Sequence, residues 1–186
     1  MKRIVVLSAP PALLPEHASL HDPVDDLRAS CLRALAHLLE RHDGPIRLVT
    51  DPVQASNAAR GITEPAGARA VRHLLGELGS TLPAGPEHRD AEAWIVVANG
   101  SARRGEKAPG HLDERAFAFD DDIEKALWAG DGTVLAGLDT ALGEELLAEG
   151  IAGLVELGRA VPTPGRALGW FSSDERGVAW WVVSWL

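Results

Sequence analysis

The chain has 186 residues, of which 46% are hydrophobic and 24% charged, proportions that are typical of a globular protein and exclude wholesale disorder. Its 27 acidic residues outnumber 18 lysines and arginines, giving a formal net charge of -9. Nucleic acid and anionic membranes are therefore not expected as partners, because phosphate binding needs clustered cations. The single cysteine, Cys31, excludes an internal disulfide framework and a multi-cysteine zinc cluster.

The apolar stretch near the amino end, residues 4–7, is too short for a signal sequence or a membrane span. We therefore expect a soluble, cytoplasmic protein with no membrane partner. The chain length suits one domain covering residues 1–186.

The first third of the chain predicts a strand, a helix and a second strand. Residues 3–8 form a short apolar run that must end at Pro10 and Pro11, because proline cannot donate to a sheet ladder. Asp22 and Pro23 predict a helix start, and apolar residues at helical spacing continue it up to Gly44. Residues 46–50 predict the second strand, and this order favours a parallel α/β sheet.

Alternating loops, helices and strands continue through the rest of the chain. Residues 51–63 predict a loop, a helix begins near Pro65, and the continuous apolar run 94–98 predicts a strand that is covered on both faces. Further helices are predicted over residues 114–129, 140–149 and 151–160, and two closing strands over 167–172 and 178–185. The triplet Asp120, Asp121 and Asp122 is expected to mark a helix start, where acidic charge complements the helix dipole.

These elements predict an α/β fold, specifically a three-layer α/β/α sandwich with a mostly parallel central sheet and a C-terminal hairpin. The last strand is apolar on both faces and contains Trp180, Trp181 and Trp185. It is therefore expected either in the middle of the sheet or paired across a homodimer.

The densest polar segment, residues 100–115, follows the 94–98 strand and so lies where ligands gather in open α/β sheets. Its sequence is GSARRGEKAPGHLDER, with three glycines that let the backbone approach a ligand. The candidate pocket residues are Ser101, Arg103, Arg104, Glu106, Lys107 and His111. The cationic cluster could hold a small anionic molecule through arginine contacts. The alternative is a solvated loop whose arginines pair with nearby acids.

A weaker candidate site for a metal ion lies after the first strand. It consists of Glu16, His17 and His21, whose histidines would share one face if the stretch were helical. The prolines in and around this stretch disfavour a helix, so a surface pair of histidines is the alternative interpretation.

Residues 96–131 resemble the corresponding segment of the class III extradiol ring-cleavage dioxygenase superfamily, particularly its short, uncharacterised members from high-GC bacteria. Those members carry a similar S-A-R-R-x-E-K-A-P-G-x-L-D-E-R-A segment after a core strand. The matching positions beyond that segment are Phe119, Asp120, Ile123, Ala126, Leu127, Gly130 and Asp131, the pattern over residues 139–150, the closing hairpin, and Pro10, Pro11, Leu14, Pro15 and Glu16 near the start. Residues 51–90 look shortened relative to that family.

The resemblance implies a sheet flanked by helices and, in active members, a non-haem Fe(II) held by two histidines and a carboxylate. At the positions where active members of the family carry these histidines, this sequence has other residues. Ala9 stands where active relatives place a histidine, no histidine follows the second strand at Asp51, and their S-H dipeptide appears as Ser101 and Ala102. Methyl groups neither bind iron nor transfer protons.

The sequence therefore predicts a divergent member of this superfamily that lacks the ordinary Fe(II) site and any cofactor, does not cleave rings conventionally, and keeps a small-molecule pocket. Two alternatives stay open: an active Fe(II) dioxygenase with substitute ligands, and a structural or interaction protein that forms a homodimer.

Overall fold

A computed structural model describes residues 2–17, 22–163 and 166–186. Its strands are β1 (Arg3–Leu7), β2 (Ile46–Val49), β3 (Ala84–Gly85), β4 (Ala93–Val97), β5 (Ala167–Ser173) and β6 (Trp180–Trp185). Its α-helices are α1 (Asp25–Leu39), α2 (Ala55–Ala58), α3 (Ala66–Glu77), α4 (Arg115–Ala129), α5 (Gly132–Ala136), α6 (Thr140–Glu145) and α7 (Ile151–Ala160), and Pro11–Leu13 and Pro15–His17 form short 3₁₀ turns. None of the helices within these ranges has the length and apolar character needed to cross a membrane.

The strands form one six-stranded mixed sheet in the order β3-β2-β4-β1-β6-β5. The first four are parallel, whereas β6 runs antiparallel to β1 and β5 antiparallel to β6. The predicted α/β class, with a mostly parallel sheet and a C-terminal hairpin, is confirmed.

Helices cover both faces of the sheet, and each face has its own apolar cluster. Because successive strand residues point to opposite faces, Val5 and Leu7 pack with α1 and α3, whereas Ile4 and Val6 pack with α4, α5 and α7. This arrangement is the three-layer sandwich that the sequence predicts.

Strand β6 lies in the interior of the sheet, as its apolar faces predict. All six of its residues are buried, and both of its edges are occupied, one by β1 and the other by β5. The indole N–H of Trp185 donates a hydrogen bond of 2.8 Å to the Leu127 carbonyl on α4. Of the two predicted placements, β6 therefore takes the one in the middle of the sheet, and homodimer formation stays a prediction.

Three short elements are absent from the sequence prediction. Helix α2 has four residues and β3 has two, so neither gives a readable hydrophobic period. Helix α5 has five residues and is capped by Asp131, whose carboxylate accepts hydrogen bonds from the Thr133 and Val134 N–H groups.

Two predicted boundaries need correction. The triplet beginning at Asp120 does not mark a helix start, because α4 begins five residues earlier at Arg115. Helix α6 ends at Glu145 rather than at Glu149, since Leu147 has a left-handed backbone (φ 56°) and Glu149 pairs with the residue Asn99 beyond the end of β4.

Candidate functional site

Three neighbouring parallel strands end at the same edge of the sheet. Strand β1 lies between β4 and β6, and β4 lies between β1 and β2. Leu7 pairs with Val97, and Val49 with Val96, so the residues that follow these strands are close together. Such a meeting of strand ends is where open α/β sheets bind ligands.

A cavity of about 310 Å³ opens at this edge. Its walls come from the ends of β1, β2 and β4, from residues 50–57 including part of α2, from the start of α3 and from the turn before α7. The lining includes Ala9, Asp51, Glu64, Arg69, Val97 and Glu149. A cavity of this size with mixed polar and apolar walls suits a small organic molecule.

Asn99 connects three segments beside this cavity. Its Oδ1 accepts a hydrogen bond of 3.2 Å from the Ala9 N–H, and its Nδ2 donates one of 2.7 Å to Oε2 of Glu149. The backbones of Asn99 and Glu149 also exchange two hydrogen bonds of 3.0 Å. Asn99 thus fixes where Ala9 and Glu149 lie relative to each other.

Gly150 holds the turn before α7 against the end of β4. Its φ is +75°, and a Cβ at this position would lie 2.1 Å from the Val97 carbonyl oxygen. Only glycine fits such a close approach in a left-handed conformation. The Gly150 N–H donates a hydrogen bond of 2.6 Å to Oδ2 of Asp51. The same turn therefore positions both Asp51 and Glu149.

The charges around the cavity are not balanced. Glu64 forms an ion pair with Arg72, and Arg69 forms one with Glu16. Asp51 and Glu149, by contrast, accept hydrogen bonds only from uncharged donors, and neither is in an ion pair with any residue that the structure describes. The cavity consequently has an excess of negative charge.

The six predicted pocket residues lie elsewhere, and none of them lines this cavity. Ser101 is fully buried and Arg104 has a side chain that is only 12% exposed. Arg103 is half-buried, and Glu106, Lys107 and His111 are exposed. That the six together bind an anion stays a prediction; the structure brings only Ser101 and Arg104 to a common partner.

That partner is Asp120, which is 1% exposed although it is an aspartate within a helix. Arg104 contacts it at 3.4 Å and also contacts Asp174 of the β5–β6 turn at 2.9 Å. Burial raises the pKa of Asp120 above its ordinary value, although hydrogen bonds from Ser101 and the charge of Arg104 oppose this effect. Gly100 permits the close packing, since a Cβ there would lie 2.9 Å from the Asp120 carboxylate.

A second cavity, of about 220 Å³, borders this group and is lined by Arg104, Asp120 and Asp174 among others. In it the guanidinium of Arg104 is already paired with carboxylates. Arg104 therefore links the 100–115 loop to α4 and to the hairpin.

The structure describes two of the three metal candidates, Glu16 and His17. Glu16 is paired with Arg69, His17 is exposed at the end of a 3₁₀ turn, and His21 lies outside the described residues. Among the residues that are described, no group of three or more His, Cys, Asp or Glu side chains is placed to hold a metal ion.

Sequence reasoning missed several residues in and beside the strand-end cavity, and it missed Asp120 as the buried partner of Ser101 and Arg104. Asp51 and Asn99 closely follow β2 and β4, so the strand-end rule alone could have identified them. Glu149 gives no such signal, because it comes from a turn between two helices. The burial of Asp120 could have been predicted from its spacing, since Asp120 lies on the apolar stripe of α4 with Ala116 and Ile123.

Comparison with known proteins adds no assignment: no protein-family model matches the chain, and no curated protein matches it.

Proposed function

We propose that this protein is a divergent relative of the class III extradiol dioxygenases that lacks the ordinary iron site and binds a small molecule in the cavity at the ends of β1, β2 and β4. In this role it does not cleave aromatic rings. The fold class that the family resemblance implies, a sheet flanked by helices, agrees with the α/β sandwich of the chain.

The position of Ala9 carries the proposal. Ala9 lines the strand-end cavity and its N–H is held by Asn99. It is also the position at which the resemblance expects an iron-binding histidine. A cavity retained at the strand ends, with a methyl group in place of an imidazole, is the arrangement expected of a binding site that has lost its metal.

The other side chains of the cavity support binding rather than oxygen chemistry. Asp51 and Glu149 contribute carboxylates to its wall, but none of the described lining residues is a histidine. Non-haem Fe(II) oxygenases combine two imidazoles with one carboxylate and leave positions open for substrate and oxygen. The chemistry of the donors in this cavity does not match that set.

Iron binding and oxygen consumption test the proposal directly. The purified full chain is incubated anaerobically with Fe(II), freed of unbound metal and analysed for iron, and oxygen uptake is then followed with catechol. We expect far less than one iron per chain and no catechol-dependent oxygen uptake. Stoichiometric iron together with catechol-dependent oxygen uptake would overturn the proposal.

An Ala9→His variant sharpens this experiment. It restores an imidazole at the wall of the cavity, and its iron content is compared with that of the unmodified chain. Because one imidazole does not complete a ligand set, we expect oxygen uptake to stay absent in the variant as well. Ring cleavage by the unmodified chain, but not by the variant, would mean that an active site already exists in this cavity.

A further inference from the structure

We infer that the ligand of the strand-end cavity is a small organic cation, a protonated amine or guanidinium on an apolar body. The inference rests on the proposed binding role of this cavity and adds the charge of the molecule that binds. This cationic ligand differs from the small anionic ligand that the sequence of the 100–115 loop predicts.

The charge of the cavity wall favours a cation. Asp51 and Glu149 remain uncompensated by any cation among the described residues, whereas Arg69, the arginine of the wall, is already paired with Glu16. An anion entering the cavity would meet two carboxylates and no free guanidinium from the described lining. An ammonium or guanidinium group would donate charge-assisted hydrogen bonds to these carboxylates.

Hydrogen bonds hold both carboxylates in place. One oxygen of Asp51 accepts the Gly150 N–H at 2.6 Å, and one oxygen of Glu149 accepts the Asn99 amide at 2.7 Å. In each carboxylate the other oxygen has no hydrogen-bond partner among the described residues. Two acceptors that are already positioned lose little side-chain entropy when they bind a donor.

Part of the cavity wall is apolar. Val97 at the end of β4 is 7% exposed, and Ile62 and Val53 line the same cavity. A purely inorganic cation would leave this surface without a contact. An apolar body bearing one cationic nitrogen would occupy both the carboxylate side and the apolar side.

Three probes of matched shape and different charge test the inference: 2-phenylethylamine, 2-phenylethanol and 3-phenylpropanoate. Each is titrated into the full ¹⁵N-labelled chain while the backbone amide signals of Asp51, Asn99 and Gly150 are followed. We expect the amine to bind at least about tenfold more tightly than the alcohol and the carboxylate. Its affinity should fall as salt is added, because the charges near the surface are screened.

Isosteric variants locate the effect. Asp51→Asn and Glu149→Gln each remove one charge while keeping an oxygen acceptor, and each should weaken the amine by about tenfold and leave the alcohol unchanged. Glu144→Gln, on exposed α6 and outside the cavity, is the matched control and should change neither. Thermal unfolding of every variant verifies that it is folded.

The outcomes that contradict the inference are distinguishable. Equal binding of all three probes at these amides, or amine binding that survives both carboxylate variants, would overturn the cationic ligand while the proposed binding cavity stands. Tighter binding of the carboxylate probe would also overturn it and would favour an anion. Iron-dependent oxygen uptake, measured separately, would overturn the proposed function itself.

Discussion

The Ser101 hydroxyl donates a hydrogen bond of 2.7 Å to Oδ2 of Asp120, and the Ser101 N–H donates one of 2.8 Å to Oδ1 of the same carboxylate. The loop after β4 thus satisfies a carboxylate that α4 carries into the protein interior. Arg104, from the same loop, supplies a cation at 3.4 Å. Buried charges of this kind require partners, because desolvation is expensive when they are left unpaired.

Removal of the Asp120 carboxylate should destabilise the protein. In Asp120→Ala, the buried hydroxyl and N–H of Ser101 lose their acceptor. We expect a loss of about 3 kcal/mol in the free energy of unfolding, measured by urea denaturation.

Asp122→Ala is the matched control, because Asp122 belongs to the same triplet and helix but is exposed. Its effect should stay within about 0.5 kcal/mol. Similar losses in the two variants would show that the Ser101–Asp120 hydrogen bonds contribute little to stability.

The pH dependence of stability should differ between the unmodified chain and Asp120→Asn. The pKa of Asp120 is raised by burial above its ordinary 3.8, despite the opposing contacts of Ser101 and Arg104. The folded state therefore holds this proton more tightly than the unfolded state. Its contribution to stability is complete below the unfolded pKa and is lost as the pH rises through the folded pKa.

Asparagine does not titrate, so the variant lacks this contribution. The stability of the unmodified chain minus that of Asp120→Asn should thus decrease as the pH rises from about 3 into the range above 3.8. Urea denaturation of both proteins across this interval measures the difference. A difference that increases with pH would mean that the folded pKa is lowered rather than raised.

Alanine at Gly150 should destabilise the turn that positions Asp51 and Glu149. The left-handed φ of +75° and the Val97 carbonyl oxygen, 2.1 Å from the added Cβ, both disfavour a side chain. We expect a loss of more than about 2 kcal/mol in the free energy of unfolding. The amide signal of Asn99 should shift as well, because its contacts with Glu149 depend on this turn.

The control for this variant is Gly76→Ala. Gly76 lies in α3, and a Cβ there would meet no atom within 4 Å. Alanine should stabilise this helix by about 0.5–1 kcal/mol. A Gly150→Ala protein as stable as the unmodified chain would contradict the geometry of the turn.

Cys31 should be unreactive in the folded protein. It is completely buried in α1 with its Sγ 3.8 Å from the Ser8 carbonyl oxygen, and burial raises the pKa of its thiol to about 12. Since only the thiolate is nucleophilic, a disulfide reagent at pH 8 should label the native chain very slowly and the denatured chain rapidly. Cys31→Ala gives the background, and rapid labelling of the native chain would show that α1 opens readily.

Local patterns in the sequence were sufficient for most of the fold. The apolar periodicity of α1, α3 and α7 and the continuous apolar runs of β4 and β6 follow from side chains that face a core on one or both sides. Elements too short to repeat a period, such as β3 and α5, gave no such signal.

The candidate site depended on contacts between distant parts of the chain. Asn99 and Glu149 are 50 residues apart, and Asp51 and Gly150 are 99 residues apart. Polarity marked the 100–115 loop as the most promising segment, but polarity does not show whether an arginine faces a ligand or a carboxylate of its own protein.

The amino-acid sequence by itself determined that this protein forms a layered α/β sheet with a buried tryptophan-rich strand, because hydrophobic periodicity is a local property of the chain. Only the tertiary structure decided that Arg104 pairs with Asp120 and that Asp51 and Glu149 share a cavity with Ala9. Those relationships arise where parallel strands end side by side, and the order of strands in the sheet is set by packing of the whole chain.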